Sequence, residues 1–241
     1  MQSYFLAPHV YPCVMDDHVV LRDLARDKYV GVGREQMGTL AAQVKGWPVN
    51  DSAITAQDTL RPSSRADAVL EKMLAAGMLT TDASVGKEAR PLQMPDALMP
   101  LVEPQLEWRP ALGVVEIVRF LFASALTALM LRFLPIRTVM GGVMKRKAAA
   151  VDRGPPFDAE VARRATAAFI RLRPLVFGAQ DRCLYDSLSL TRYLSYYGQF
   201  PSCVIGVQTG PFGAHCWVQE GTIVLNDEPE YIRRFTPIFA V

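Results

Sequence analysis

The last third of the chain carries the pattern that most restricts the fold, one helical stretch followed by three short apolar runs. The helical spacing covers residues 183–197 and ends at Gly198. The runs at 202–209, 214–219 and 222–226 are short enough for strands, and glycine-containing turns separate them. A helix followed by antiparallel strands is an α+β arrangement, so we predict an α+β fold for this part.

A second α+β pattern occupies the first 80 residues. The runs His18–Leu24 and Lys28–Gly33 predict a hairpin, to which residues 10–15 can add a third strand. Helical spacing follows at residues 34–45 and again from about residue 65, where Ser63 or Ser64 can cap the helix and Gly77 can end it. Strands followed by short helices predict a small winged-helix-like domain.

A proline-spaced stretch separates these two patterns. It shows no clear hydrophobic period and is typical of a linker; its prolines are Pro91, Pro95, Pro100, Pro104 and Pro110. We therefore predict two domains, residues 1–82 and 111–241, joined by a linker at 83–110. Both lengths are within the usual range for a domain.

Composition excludes several classes of protein. Half of the 241 residues are apolar, which is enough for a globular core. Four cysteines without a CxxC pair are too few for a disulfide framework, and no cluster predicts a metal site. The net charge is +2, and residues 1–85 carry 8 basic and 10 acidic side chains, which argues against nucleic-acid binding. The first eight residues lack the pattern of a secretory signal, so we expect a cytoplasmic protein.

The most apolar stretch runs over residues 111–135. Glu116, Arg119 and Arg132 interrupt it and leave twelve charge-free residues, whose helix of about 18 Å is shorter than a bilayer core of about 30 Å. We predict a buried or interfacial helix and expect no membrane contact. Core, partner interface and membrane-surface roles stay open.

Three residues of the last third could together form a nucleophilic site. Cys183 stands at the predicted start of a helix, where the helix dipole lowers the pKa of a thiol. His215 lies on the second predicted strand and Asp227 at the end of the third, so an imidazole could lie between thiol and carboxylate. Each residue has a structural alternative, as an inert apolar cysteine, a hydrogen-bonded histidine or a turn-forming aspartate.

Neighbouring positions add candidates for a substrate cleft. Trp217 and Gln219 share the predicted strand face of His215 and could line a cleft, although Trp217 could equally be core. Cys216 points to the opposite face, and we expect Cys13 and Cys203 to be buried or incidental thiols.

The segments Cys183–Leu190, Pro211–Val218 and Val224–Asp227 resemble the transglutaminase-like leader peptidase of lasso peptide biosynthesis. That family has a cysteine at a helix start, a His-x-Trp-Val strand 32 residues later and an aspartate 12 residues beyond the histidine. Cys183, His215 and Asp227 match these positions, whereas Cys216 and Gln219 stand where alanine and glutamate are usual. The resemblance implies a transglutaminase-like (papain-like) cysteine peptidase domain with these three residues as its triad.

Residues 5–82 resemble the precursor recognition element that precedes the peptidase in single-chain lasso B proteins. The resemblance implies that this domain binds the leader of a precursor peptide as an added strand, between Lys28–Val32 and the helix at 65–76. The candidate contacts are Tyr29, Val30, Val32, Val69 and Lys72.

The family works beside an ATP-dependent macrolactam cyclase. The chain has no G-x-x-x-x-G-K-[ST] loop, so we expect no cofactor in the chain itself and any ATP dependence to come through the cyclase. Two other functions stay open, a transglutaminase-like acyl transferase and a non-catalytic leader-binding adaptor.

Overall fold

The computed structural model of the protein describes residues 3–48, 64–102, 112–151, 157–176 and 182–241, and the side chains of 64–67 and 151 lie outside this description. The chain divides into two units, Met1–Gln93 and Met94–Val241. Each unit has its own apolar core.

The first unit contains a three-stranded antiparallel sheet. Strands β2 (Val10–Val14), β3 (His18–Asp23) and β4 (Lys28–Gly33) lie in the order β2-β3-β4. The predicted hairpin and its third strand are confirmed. Asp23 accepts hydrogen bonds from the N–H groups of Ala25 and Arg26, which closes the turn between β3 and β4.

Two helices and a small strand pair complete this unit. Helix α1 is Arg34–Gln43 and α2 is Ser64–Ala75, and Gly77 follows α2 with φ of 63°. Strand β1 (Phe5–Leu6) pairs with β5 (Leu79–Thr80), which the sequence did not indicate. The capping role predicted for Ser63 lies outside the described residues. The winged-helix assignment stays a prediction.

The predicted linker at 83–110 needs correction over its described part, 83–102. Lys87 exchanges backbone hydrogen bonds with Leu6, and Ala89 is fully buried in the core of the first unit. Strand β6 (Met99–Pro100) is an edge strand of the second unit's sheet. Proline is tolerated in an edge strand because its missing N–H group is not needed on the side that has no neighbouring strand. The regular spacing of prolines therefore did not mean that this stretch is unpacked. Residues 103–110 lie outside the described residues.

The second unit packs helices on a five-stranded sheet. Its helices are α3 (Val114–Phe133), α4 (Ile136–Val151), α5 (Ala159–Leu172), α6 (Cys183–Ser195) and the short α7 (Pro229–Ile232). Its further strands are β7 (Ser202–Thr209), β8 (Phe212–Glu220), β9 (Ile223–Val224) and β10 (Thr236–Ala240), in the order β10-β7-β8-β9-β6. The predicted helix and three strands of the last third are present, so the α+β prediction is confirmed here.

The core of the second unit holds α6 in place through the C-terminal half of this helix. Phe120 of α3 and Phe169 of α5 pack edge to face at 5.3 Å, and both contact Tyr193 of α6. Leu190 and Leu194 of α6 are fully buried in the same cluster. Asp158 caps α5 by accepting hydrogen bonds from the N–H groups of Glu160 and Val161.

Helix α3 is buried on one face only. Phe120, Ala123, Ser124 and Thr127 are buried, whereas much of the remaining apolar surface is exposed. Among the described residues α3 is the one helix long and apolar enough to cross a membrane by length and composition, and a single helix of this kind is weak support for a span.

Candidate active site

Cys183 is the first residue of α6. Its side chain is partly buried, and the preceding residue, Arg182, ends the segment that leads into the helix. At this position the thiol faces the positive end of the helix dipole, and the first N–H groups of the helix have no partner within it. The predicted placement of the cysteine at a helix start is confirmed.

His215 and Asp227 form a hydrogen-bonded pair. His215 lies in β8, and its Nε2 is 2.5 Å from Oδ2 of Asp227, which follows β9. The other carboxylate oxygen of Asp227 accepts a hydrogen bond from the N–H of Glu228 at 2.8 Å, which fixes the carboxylate. Because Nε2 is engaged by Asp227, Nδ1 remains for Cys183, with which the imidazole also forms a hydrogen bond. The three residues therefore meet in one place.

The electrostatics of this group favour an ion pair between thiolate and imidazolium. Burial alone would lower the pKa of His215, but the hydrogen bond and charge of Asp227, with the interaction of Cys183, raise it to about 9. Burial alone would raise the pKa of Cys183, but His215 and the backbone N–H groups of Cys216 and Leu184 outweigh it, and the pKa is lowered. Near neutral pH both shifts favour the charged forms.

An aromatic cluster holds the imidazole ring. Phe235 and Tyr231 each lie 5.1 Å from the ring of His215, and Trp217 stacks on it at 6.3 Å. Gly206, opposite His215 across the ladder, has no room for a side chain, because an added Cβ would lie 2.7 Å from the Trp217 ring. Sequence analysis missed Gly206, Tyr231 and Phe235. A glycine inside an apolar strand was the available signal for the first of them.

Trp217 and Gln219 do share the face of His215, but the prediction that they line a substrate cleft is wrong. Each is only 2% exposed. Trp217 Nε1 donates to Oε1 of Gln219, and Nε2 of Gln219 donates to the carbonyl oxygens of Pro95 and Gly221. The amide thereby satisfies the indole N–H in the core, and the pair supports His215 instead of contacting solvent.

A buried polar network that sequence analysis did not find lies between α6 and the segment that carries Asp227. Asn226 Nδ2 donates to Asp186 Oδ2 at 2.8 Å and to Ser187 Oγ at 3.1 Å, while its Oδ1 accepts from the N–H of Val218. Arg173 also donates to Asp186. Burial raises the pKa of Asp186 against the lowering effect of Arg173 and Asn226. Asn226 precedes Asp227, so the network anchors the carboxylate of the site to the helix of the thiol.

The other cysteines lie in different surroundings. Cys13 is buried and its pKa is raised to about 11 by burial. Cys203 and Cys216 are buried with their sulfurs 3.5 Å apart, on the sheet face opposite His215. The hydrogen bond with Cys203, then burial, raises the pKa of Cys216 well above its ordinary value. The predictions for these three thiols are confirmed.

The predicted leader-binding residues lie in the first unit, at β4 and α2. Val32 is buried in the core, so its side chain cannot contact a peptide, and this prediction is wrong. Val30 and Val69 are partly buried and pack on the same core cluster, whereas Lys72 is exposed and Tyr29 is partly buried beside the Arg22 guanidinium, 4.4 Å from its ring. Val30, Val69, Tyr29 and Lys72 stay predictions.

The start of α6, the antiparallel strands β7, β8 and β9 and the three side chains define a thiol site suited to acyl transfer. Residues 126–240 match the family model described as the transglutaminase-like superfamily. No match to a curated protein or to a solved structure was found. The second unit therefore carries a transglutaminase-like superfamily domain, a class consistent with cysteine peptidase or acyltransferase-like activity. In the described part of the chain no group of three or more His, Cys, Asp or Glu side chains is arranged to hold a metal ion.

Proposed function

We propose that the protein is a leader peptidase of lasso peptide maturation, which binds the leader of a precursor peptide and hydrolyses the bond between leader and core. The observation that carries the peptidase activity is the contact of Cys183, His215 and Asp227 at the start of α6. The lasso assignment is supported by the likeness of the segments 183–190 and 211–218 to that family.

In the proposed mechanism the Cys183 thiolate attacks the carbonyl carbon of the scissile peptide bond. The backbone N–H of Cys183, which has no partner inside its helix, is a donor available for the oxyanion. The carbon–nitrogen bond breaks as the His215 imidazolium gives its proton to the leaving amine of the core. A water molecule then attacks the thioester while His215 accepts one of its protons. The carbon–sulfur bond breaks, the leader leaves with a new carboxyl group, and the Cys183 thiolate and the His215 imidazolium are restored.

Asp227 has a positioning role in this mechanism. Its carboxylate holds Nε2 of His215 and so directs Nδ1 towards the thiol. The aromatic rings of Trp217, Tyr231 and Phe235 restrict the imidazole on its other sides. The chain thus presents the base in one orientation before substrate arrives.

Capture of the leader is assigned to the open edge of β4. Within the described residues β4 is hydrogen-bonded to β3 on one side and has no strand on the other. An extended peptide could add there as a fourth strand, with its side chains near Val30 and Val69 at the margin of the core. Lys72, exposed on α2, could contact an acidic leader residue.

The test is incubation with a precursor peptide that contains its leader, read by mass spectrometry. Hydrolysis gives leader and core whose masses sum to that of the precursor plus one water, whereas acyl transfer to an amine gives a joined product. Cys183→Ala is expected to abolish cleavage and to leave leader binding unchanged in fluorescence anisotropy. An intact precursor with the wild-type protein, alongside a related system that cleaves, would refute the proposal.

A second set of variants tests leader binding separately from cleavage. Tyr29→Ala and Lys72→Ala should each weaken binding severalfold, while Arg90→Ala, an exposed cation of the same unit, should leave it unchanged. Iodoacetamide labelling separates an enzyme from an adaptor, because an adaptor needs no reactive thiol. An unreactive Cys183 near neutral pH would favour the adaptor.

A further inference from the structure

Helix α3 exposes an apolar face that no described part of the second unit covers. At about 100° per residue, its exposed positions fall in an arc of about 160° along the helix. Six large apolar side chains in this arc are between 49% and 77% exposed: Val114, Val118, Leu121, Phe122, Leu129 and Phe133. The fully described α3 has no polar side chain in this arc before Arg132. An exposed helix face is normally polar, so a face of this length indicates docking.

The charges around this face indicate the partner. Residues 112–151, which contain α3 and α4, carry six basic side chains and one acidic side chain, whereas the whole chain has a net charge of only +2. Arg132 and Arg137 are exposed on either side of the bend at Pro135, and Lys145 is exposed further along α4. The single acidic residue, Glu116, accepts a hydrogen bond from the N–H of Gly113 at the opposite end of α3. The apolar face therefore ends in a cationic region.

We propose that α3 docks this protein on the surface of an anionic phospholipid membrane. The apolar side chains enter the boundary between headgroups and acyl chains, and the cations around Pro135 contact lipid phosphates. Long arginine and lysine side chains can place their charges among the headgroups while their stems follow the apolar layer.

The contacts on the opposite face of α3 favour a helix that lies in the membrane surface over one that crosses the membrane. Phe120 packs on Phe169 and Tyr193, and the hydroxyl of Tyr185 donates to the carbonyl oxygen of Ser124 at 2.9 Å. Arg119 also stacks on Tyr197 of the same unit, 4.6 Å from the ring. These contacts would be lost if lipid surrounded the helix. The expectation of no membrane contact depended on the short charge-free stretch, and surface docking needs no span.

The test is co-sedimentation of the full chain with vesicles of phosphatidylcholine that contain about one third phosphatidylglycerol, with pure phosphatidylcholine for comparison. We expect binding to the anionic vesicles and much weaker binding to the neutral ones. The triple variant Val118→Gln, Leu121→Gln and Leu129→Gln should lower the partition coefficient by at least about tenfold. A matched control, Val85→Gln with Leu175→Gln, changes exposed apolar residues outside α3 and should bind as the wild type does.

A double variant tests how much the cations near Pro135 contribute to vesicle binding. Arg132→Gln with Arg137→Gln should weaken binding by about fivefold for each cation removed, and added salt should reduce the difference. Arg90→Gln with Arg164→Gln removes the same charge from other exposed positions and should have little effect.

Three outcomes would overturn the proposal. They are no binding of the folded wild type to anionic vesicles, equal binding of the triple variant, and a dimer in sedimentation equilibrium that the triple variant abolishes while vesicle binding is absent. The last outcome would assign the face to a second copy of the chain. Thermal unfolding followed by circular dichroism shows that each variant is folded, and the exposed positions make loss of the fold unexpected.

Discussion

The charge state of Cys183 depends on a carboxylate that does not touch the thiol, and Asp227→Asn tests this dependence. The pKa of His215 is raised from 6.5 to about 9 in an environment that would by itself lower it. A shift of this size corresponds to about 3 kcal/mol in favour of the imidazolium. Among the groups that raise this pKa, the hydrogen bond of Asp227 contributes most, so removal of the carboxylate should lower the pKa by about one unit, which is about tenfold in the protonation equilibrium.

The pH range in which the thiolate–imidazolium pair exists follows from the pKa shifts of Cys183 and His215. The imidazolium persists up to pH of about 9, and the thiolate forms below the ordinary pKa of a thiol, so the ion pair is present between these limits. Without the carboxylate the pKa of His215 falls and that of Cys183 rises, which narrows this range from both sides. We expect Asp227→Asn to slow alkylation of Cys183 by iodoacetamide about tenfold at pH 7 and to move the rate profile to higher pH.

The assay follows the mass of the intact protein, with Cys183→Ala to show that the adduct is on this thiol. Glu228→Gln is the matched control, because it removes one charge from an exposed side chain next to Asp227. It should leave the profile unchanged. If the Asp227→Asn profile coincides with that of the wild type, the carboxylate does not set the charge state of the site, and the reasoning is refuted.

Two further predictions concern stability. Gly206→Ala forces a Cβ against the buried ring of Trp217 and should destabilise the protein by about 1–3 kcal/mol, lowering the melting temperature, while Gly141→Ala, in open space on α4, should leave it unchanged or raise it. A melting temperature unaffected by Gly206→Ala would contradict the prediction, because it would mean that the side chains around the imidazole move to make room for the added Cβ. Asn226→Ala removes three hydrogen bonds and leaves Asp186 with fewer partners in the core, so it should destabilise by about 2 kcal/mol. Calorimetry that finds Asn226→Ala as stable as the wild type would contradict a structural role for this network.

The parts of the site that could be predicted from sequence are those with a local signal. Cys183 stands where a helix period begins, and His215 and Asp227 stand on either side of the Gly221 turn, so strand pairing brings them together. The period of two along β8 placed Trp217 and Gln219 on the face of His215. It could not show that this face is buried there, because burial depends on Phe235 and Pro95, which are distant in sequence.

The errors elsewhere have the same origin. The alternation along β4 gives the face on which Val32 lies. It does not show that this face is covered, because the helix residues that bury Val32 reach it only through tertiary packing. The proline-spaced residues 83–102 lack a period because most of them pack without forming a helix or strand, and Ala89 enters the core in this way. Asp186 and Asn226 meet only after α6 and the end of the hairpin pack together, 40 positions apart in the chain. Sequence patterns report local periodicity, whereas these features arise from long-range contacts.

The central claim is that Cys183 forms a covalent acyl intermediate with the leader. The most direct measurement is acid quench during turnover of a precursor peptide, followed by intact-protein mass spectrometry. We predict an adduct with the mass of the leader acyl group, located by digestion to the segment that contains Cys183 and absent from Cys183→Ala. Release of the leader by Cys183→Ala at the wild-type rate, with no adduct on either protein, would contradict the claim.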